Sequence, residues 1–156
     1  MTNTYLTPTK FKLDATSAGL IWGQEVFFVG FPYKMDINLD KNLTGGRPTP
    51  FMKKGIISAM DFSQDASLMY IDAINNEGFS GGPLVFVKQG KPNNEYSVAG
   101  VISKFKTEQE PVKSTSCELK TNLYIDYNTG LLVAYDIRHA IEIIKNKPIG
   151  LIVKSQ

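Results

Sequence analysis

The sequence predicts an all-β domain: six antiparallel strands closed into a small barrel, followed by one C-terminal helix. Three observations carry this. Six short β-prone segments follow one another, separated by Gly, Pro, Asn and Asp. No alternation of strands with crossover helices is present. Only the last segment changes period, from that of a strand to that of a helix.

The first strand, "GQEVFFVGFP" (23–32), is apolar and ends at Gly30 and Pro32. A polar loop with a Gly-Gly pair and two prolines follows. "KKGIISAM" (53–60) and "SLMYIDA" (67–73) form a pair across the hairpin loop "DFSQDA". "PLVFV" (83–87) is a short unbroken apolar run, as in a buried strand, and "YSVAGVIS" (96–103) follows the turn "KQGKPNNE". Residues 106–116 are polar, contain Pro111, and read as a surface loop. "GLLVAY" (130–135) is the sixth strand. In "DIRHAIEIIK" (136–145), Ile137, Ala140, Ile141 and Ile144 make one stripe of an amphipathic helix. Asp136 is its expected N-cap, Lys145 and Lys147 suit its far end, and Pro148 stops it. One domain is expected: 1–20 a strand or linker leading in, 21–135 the barrel, 136–147 the helix, 148–156 a tail. Six strands at short spacing suit a small antiparallel barrel.

Composition limits the function. The 156 residues suffice for one domain, and 42% hydrophobic with 21% charged residues is ordinary for a globular protein. No apolar run approaches the about 18 residues of a membrane helix, and the N-terminus lacks the pattern of a secretory signal, so no membrane association is expected. Net charge is +2, with Lys53-Lys54 and nearby Arg47 the one basic cluster, so no nucleic-acid partner is expected. Cys117 is the only cysteine, which rules out an internal disulfide and a Cys-rich zinc site. A reducing, cytoplasmic compartment fits. Asp36, Asp40, Asp61 and Asp65 lack calcium-loop spacing, and neither a metal nor a cofactor is expected. Trp22 and the Phe27-Phe28 pair read as core, Cys117 as inert, and Lys53-Lys54 as a solvated strand end.

The stretch "NNEGFSGGPLVF" (75–86) carries the chemistry. "GFSGG" satisfies Gly-x-Ser-x-Gly, the elbow of α/β-hydrolases, where a helix follows the serine. Here Pro83 and then a strand follow, so the context refuses that reading. "DAINNEGFSGGPLV" instead resembles the nucleophile loop of trypsin-like and HtrA-like serine proteases, with the core Gly-x-Ser-Gly-Gly-Pro-Leu. The resemblance extends over most of the chain. "GQEVFFVGFP" is similar to the strand that opens the second barrel of those enzymes, "KKGIISAM" to the next strand, and "YSVAGVIS" to the strand beside the specificity pocket. "GLLVAYDIRHAIEII" is similar to their closing strand and terminal helix. Asp72-Ala73 matches the Asp-Ala of HtrA-like enzymes ahead of the loop.

The resemblance implies a barrel of the chymotrypsin type, with Ser80 as nucleophile. It implies an oxyanion hole formed by the backbone N–H groups of Gly78 and Ser80. Two such donors aimed at one point stabilise the charge that develops on a substrate carbonyl. Gly78 permits backbone angles that a side chain resists, while Gly81 and Gly82 let the chain leave the serine without crowding. The implied specificity pocket has Ile74 at its base and Ser103, Lys104 and Phe105 along its wall. Ile74 points to an apolar or small substrate side chain. Phe79 departs from the pattern, standing where trypsin-like enzymes have Asp and HtrA-like ones usually Asn. It excludes activation by pairing that Asp with a freshly cut N-terminus, and it threatens the shape of the oxyanion loop.

A serine needs a base. In the family the His and Asp of the triad come from the first barrel, upstream of everything matched here. The single histidine, His139, lies about 200° around the helix from Ile137 and is expected to face solvent. The expectation is therefore the second-barrel half of a serine endopeptidase, inactive alone. The alternative is a catalytically dead peptide-binding module of the same fold, and the plainest reading is a Gly-rich turn with no functional use. The expected partners are a peptide or protein substrate, and a missing N-terminal barrel or a second copy. Either would cover an apolar patch near Ser80.

Overall fold

Alternation of inward and outward side chains in β-strands shapes most of the wall of this protein. The computed structural model describes residues 13–35, 48–63, 66–90, 95–113, 116 and 119–147. Among these described residues seven strands run in chain order: β1 Asp14–Ala15, β2 Glu25–Gly30, β3 Phe51–Asp61, β4 Leu68–Asp72, β5 Pro83–Val87, β6 Tyr96–Lys113 and β7 Leu119–Asp136. One helix follows, α1, Ile137–Asn146. Val26 and Phe28 of β2, Met69 and Ile71 of β4, and Leu84 and Phe86 of β5 point inward at every second position. With Ile57, Phe79, Ala99, Ile102, Leu132 and Ala134 they make one core. Each large apolar side chain buried there contributes roughly 1.5–3 kcal/mol.

Six of the strands pair in a ring, in the order β2-β3-β4-β7-β6-β5 and back to β2, each pair antiparallel. Hairpin-connected β2, β3 and β4 are followed by β5, which returns to lie beside β2, a Greek-key arrangement. Each ring strand is paired on both sides within the ring, which leaves few sites there for unwanted strand pairing. The expected six strands are all present, but the sheet has a seventh. β1 adds to β6 in parallel, pairing Asp14 with Ser97 and Ala15 with Val98. Two residues carry no alternation to read, which is why the sequence alone shows six antiparallel strands.

A larger correction concerns residues 106–116, expected to be a surface loop. β6 and β7 continue past Phe105 as a two-stranded arm, from Thr107 opposite Asn128 to Lys113 opposite Leu119. Apart from half-buried Val112 and Asn128, the described side chains of the arm meet solvent, so it lacks the apolar alternation that marks a strand packed on a core. Polar pairs directly across the ladder replace it. Tyr127 Oη donates to Glu108 Oε2 at 2.8 Å, and Gln109 Nε2 donates to Asp126 Oδ1 at 3.0 Å.

The helix begins as expected. Asp136 caps it, its carboxylate accepting from Arg138 N at 2.9 Å and from Ser17 Oγ at 2.6 Å. Ile137 is buried and Ala140 and Ile141 half-buried, but Ile144 is exposed, so only the first two turns of the predicted stripe pack on the ring. The stop at Pro148, the tail, Arg47 and Cys117 lie outside the described residues. Trp22, expected in the core, is 65% exposed. It sits on the turn before β2, at the lip of a groove of about 330 Å³ shared with Leu20, Ile21, Met60, Phe62 and Met69. Phe28 is core and Phe27 half-buried. No helix among the described residues is long and apolar enough to cross a membrane.

Candidate active site

The segment from Ala73 to Gly82 joins β4 to β5 across one mouth of the ring. Backbone bonds hold it on three sides. Ala73 N donates to Gly130 O at 2.8 Å, Phe31 N to Gly78 O at 2.9 Å, and Gly81 N to Ile102 O at 2.8 Å. The loop therefore touches β7, the end of β2, and β6.

Alternation continues through the loop. Phe79 is fully buried and meets Phe28 edge-on, ring centroids 5.3 Å apart at 75°. Its neighbour Ser80 turns outward and is exposed. Residues 79–82 form a tight turn in which Gly82 N donates to Phe79 O at 3.0 Å, and Gly81 takes a φ of +84° that favours glycine. β5 starts at Pro83, so a strand and not a helix lies behind the serine. This excludes the α/β-hydrolase elbow. Phe79 reinforces the loop by anchoring it in the core.

Ser80 lies at a groove of about 340 Å³ whose lining includes Phe31, Pro50, Gly78, Gly81 and Gly82. Gly78 has a φ of +99°, and a Cβ there would lie 2.0 Å from the Phe31 carbonyl oxygen. A Cβ on Gly82 would lie 2.1 Å from the Val29 carbonyl oxygen. Only glycine lets β2 and the loop meet backbone to backbone at these points. The amides of Gly78 and Ser80 have no acceptor among the described residues. Two unengaged backbone donors and a hydroxyl thus sit at the groove on two residues separated only by Phe79. That donor set suits an oxygen bearing or developing negative charge.

The Ser80 hydroxyl is itself engaged, donating to the Ser103 carbonyl oxygen at 2.8 Å. Ser103, expected in the wall of a specificity pocket, thus lies beside the serine without lining the groove. Ile74, expected at the base of a pocket, is 71% exposed, and Lys104 is exposed and Phe105 half-buried. None of these three lines the groove. The buried residue is the next one, Asn75, whose carbonyl oxygen accepts from Asn128 Nδ2 at 2.5 Å. Phe31, Tyr33, Met52 and Ile74 are exposed, and of these Phe31 lines the groove beside Ser80. Phe31 and Tyr33 bond to the loop, and Met52 pairs with Val29 at the groove.

His139 does not face solvent as expected. Its side chain is only 26% exposed, its Nε2 accepts from Ser67 N at 2.9 Å, and its Nδ1 lies 3.9 Å from Glu142 Oε2. The first turn of α1 docks beside Ser67, which turns this face of the helix inward. Ser67 precedes β4 and the Ser80 loop follows it, so the length of β4, about 17 Å at 3.3–3.4 Å per residue, separates them. His139 cannot serve Ser80 as base.

Lys53 is the residue that sequence reasoning passed over. Lys54 is a solvated strand end, paired with Glu25 at 2.7 Å. Lys53 instead donates to Ile74 O at 2.9 Å and to Asn76 Oδ1 at 2.6 Å, with its ammonium 5.2 Å from the Phe79 ring centroid. Desolvation by burial lowers its pKa from the ordinary lysine value. The signal available in the sequence was period. Phe51, Lys53, Gly55 and Ile57 share one face of β3, and that face turns inward. Among the described residues no three His, Cys, Asp or Glu side chains are grouped to hold a metal ion.

No protein-family profile matches this chain, and no curated protein or solved structure matches it.

Proposed function

We propose that this chain is the nucleophile-bearing second barrel of a trypsin-like serine endopeptidase, with its base supplied from outside the described residues. One observation carries the reading: an outward-facing Ser80 on a tight turn between two ring strands, with the amides of Gly78 and Ser80 left without acceptors. The Greek-key ring of six antiparallel strands and the terminal helix support it.

In this mechanism the incoming base removes the Ser80 hydroxyl proton, and Oγ attacks the substrate carbonyl carbon. The carbonyl oxygen takes up the electron pair and moves toward the two amides. Each such donor contributes about 3 kcal/mol to the transition state. The hydroxyl must first leave the Ser103 carbonyl, a neutral hydrogen bond whose loss costs about 1 kcal/mol. The base outweighs that cost, because triad members act as a unit and contribute far more than one such bond.

The test uses a fluorophosphonate probe on the chain, with imidazole added as a diffusible base. Labelling of Ser80 should rise with imidazole and vanish in Ser80→Ala. No labelling at any imidazole concentration defeats the nucleophile.

A second reading, a peptide-binding module of the same fold, is favoured by the Ser80–Ser103 hydrogen bond, which leaves the hydroxyl occupied. Extended peptides would then lie in the groove without being cut. Titration with a library of short peptides separates the two: saturable binding together with absent labelling supports the module.

A further inference from the structure

Lys53 faces the interior from β3, opposite Phe28, at the mouth of the ring where the Ser80 loop crosses. An ammonium turned inward is costly unless its donors are satisfied. Here every partner belongs to the loop. The Ile74 carbonyl and the Asn76 side chain accept from it, and the face of Phe79 lies 5.2 Å away. Asn76 passes the tie onward, its Nδ2 donating to Tyr33 Oη at 3.0 Å. Tyr33 N in turn donates to Glu77 O at 3.3 Å. Gly55, two residues along the same face of β3, leaves room for the start of the loop. A Cβ there would lie 2.6 Å from the Asp72 carbonyl oxygen and 2.8 Å from the Ala73 Cβ.

We propose that Lys53 is the positioning residue of the Ser80 loop, a half-buried cation at the mouth of the ring that clamps residues 74–79 and so sets where the Gly78 and Ser80 amides point. The clamp belongs to the folded ring itself. It therefore needs no cut N-terminus to engage, and it accounts for an aromatic ring at position 79, since a π-face receives a cation where a carboxylate is absent. Its bearing on catalysis rests on the serine endopeptidase reading, but the clamp itself does not.

The decisive measurement is amide hydrogen exchange on the intact chain. Phe31, Tyr33 and Gly82 donate hydrogen bonds into or within the loop, while Leu84 and Phe86 belong to the ring. Lys53→Met should speed exchange at Phe31, Tyr33 and Gly82 by about tenfold and leave Leu84 and Phe86 unchanged, tenfold corresponding to about 1.4 kcal/mol. Lys53→Arg, which keeps a cation, should hold the loop within about threefold of the unaltered protein. Unchanged loop exchange in Lys53→Met overturns the clamp, as does a Lys53→Arg variant as loose as Lys53→Met. If Lys53→Met loosens the ring as well, Asn76→Ala compared with Tyr33→Phe decides, because Asn76→Ala removes the Lys53 acceptor together with the Tyr33 bond and Tyr33→Phe removes that bond alone, neither touching the ring. Exchange confined to the loop and faster in Asn76→Ala than in Tyr33→Phe then supports the proposal, and equal exchange in the two ends it. Fluorophosphonate labelling separates this outcome from the fate of the protease reading. A loosened loop with no labelling of the unaltered protein leaves the clamp standing and removes the nucleophile. Labelling that falls about tenfold in Lys53→Met and recovers in Lys53→Arg ties the two together.

Discussion

Replacing Phe79 with alanine tests whether the serine loop is anchored in the core. The ring is fully buried, and truncating such a phenylalanine costs about 3–5 kcal/mol. The upper part of that range applies here. The edge-on contact with Phe28 accounts for about 0.5–1.5 kcal/mol, and it disappears with the ring. The cavity also has little to refill it, because the nearest wall is Gly30, where even a Cβ would lie 2.8 Å from Phe79 Cδ1. A loss of about 4 kcal/mol should lower the melting temperature by about 8–16 °C, at 2–4 °C per kcal/mol for a chain of this length. Urea unfolding followed by far-ultraviolet circular dichroism reads the change as a shift in midpoint at constant slope. Ser80→Ala is the control: the side chain is exposed and its loss removes one hydrogen bond, worth about 1 kcal/mol. If Phe79→Ala unfolds within about 1 kcal/mol of Ser80→Ala, the inward placement of residue 79 is wrong.

Other perturbations follow from the same geometry. Gly78→Ala combines a φ of +99° with a 2.0 Å approach to the Phe31 carbonyl, so it should cost more than about 2 kcal/mol in urea unfolding and abolish fluorophosphonate labelling. Burial raises the pKa of the Asp136 carboxyl, but the bonds from Ser17 and Arg138, with the Arg138 charge, outweigh it and leave the value below that of a free aspartate. A carboxylate with a depressed folded-state pKa stabilises fully above its unfolded value near about 3.9 and loses that contribution as pH falls through the folded value. Asp136→Asn should therefore lower the urea midpoint at neutral pH and flatten its decline below about pH 4; an unchanged acid limb would refute the assignment. Replacing the outer arm, residues 108–127, with a tight turn should change stability by less than about 1 kcal/mol, because its described side chains, half-buried Val112 apart, are solvated and Asn128 stays in place to hold Asn75.

The ring was legible because each of its strands buries one face, and burial writes itself into the sequence as period. The helix was legible through Asp136 and the change of period at Ile137. The arm was not, since residues solvated on both faces obey no such rule. The serine was found through a local string of small residues, which backbone sterics demand. Its surroundings were harder to read. Whether Ile74 or Asn75 turns inward depends on the angle at which the chain leaves β4, and no single residue encodes that. His139 and Lys53 were misplaced for a related reason. A polar side chain that satisfies itself against a distant backbone, Ser67 in one case and Ile74 in the other, leaves no mark at its own position.

At Gly30, Gly78 and Gly82 the end of β2 and the serine loop approach too closely to admit a side chain at any of the three. Evolution cannot tune such a seam one side chain at a time, since any substituent opens it. Diversity is therefore channelled outward, to the exposed rim positions Phe31, Ile74 and Glu77, whose side chains take no part in the hydrogen bonds that hold the loop. An engineer seeking altered selectivity should randomise that rim and leave the three glycines untouched.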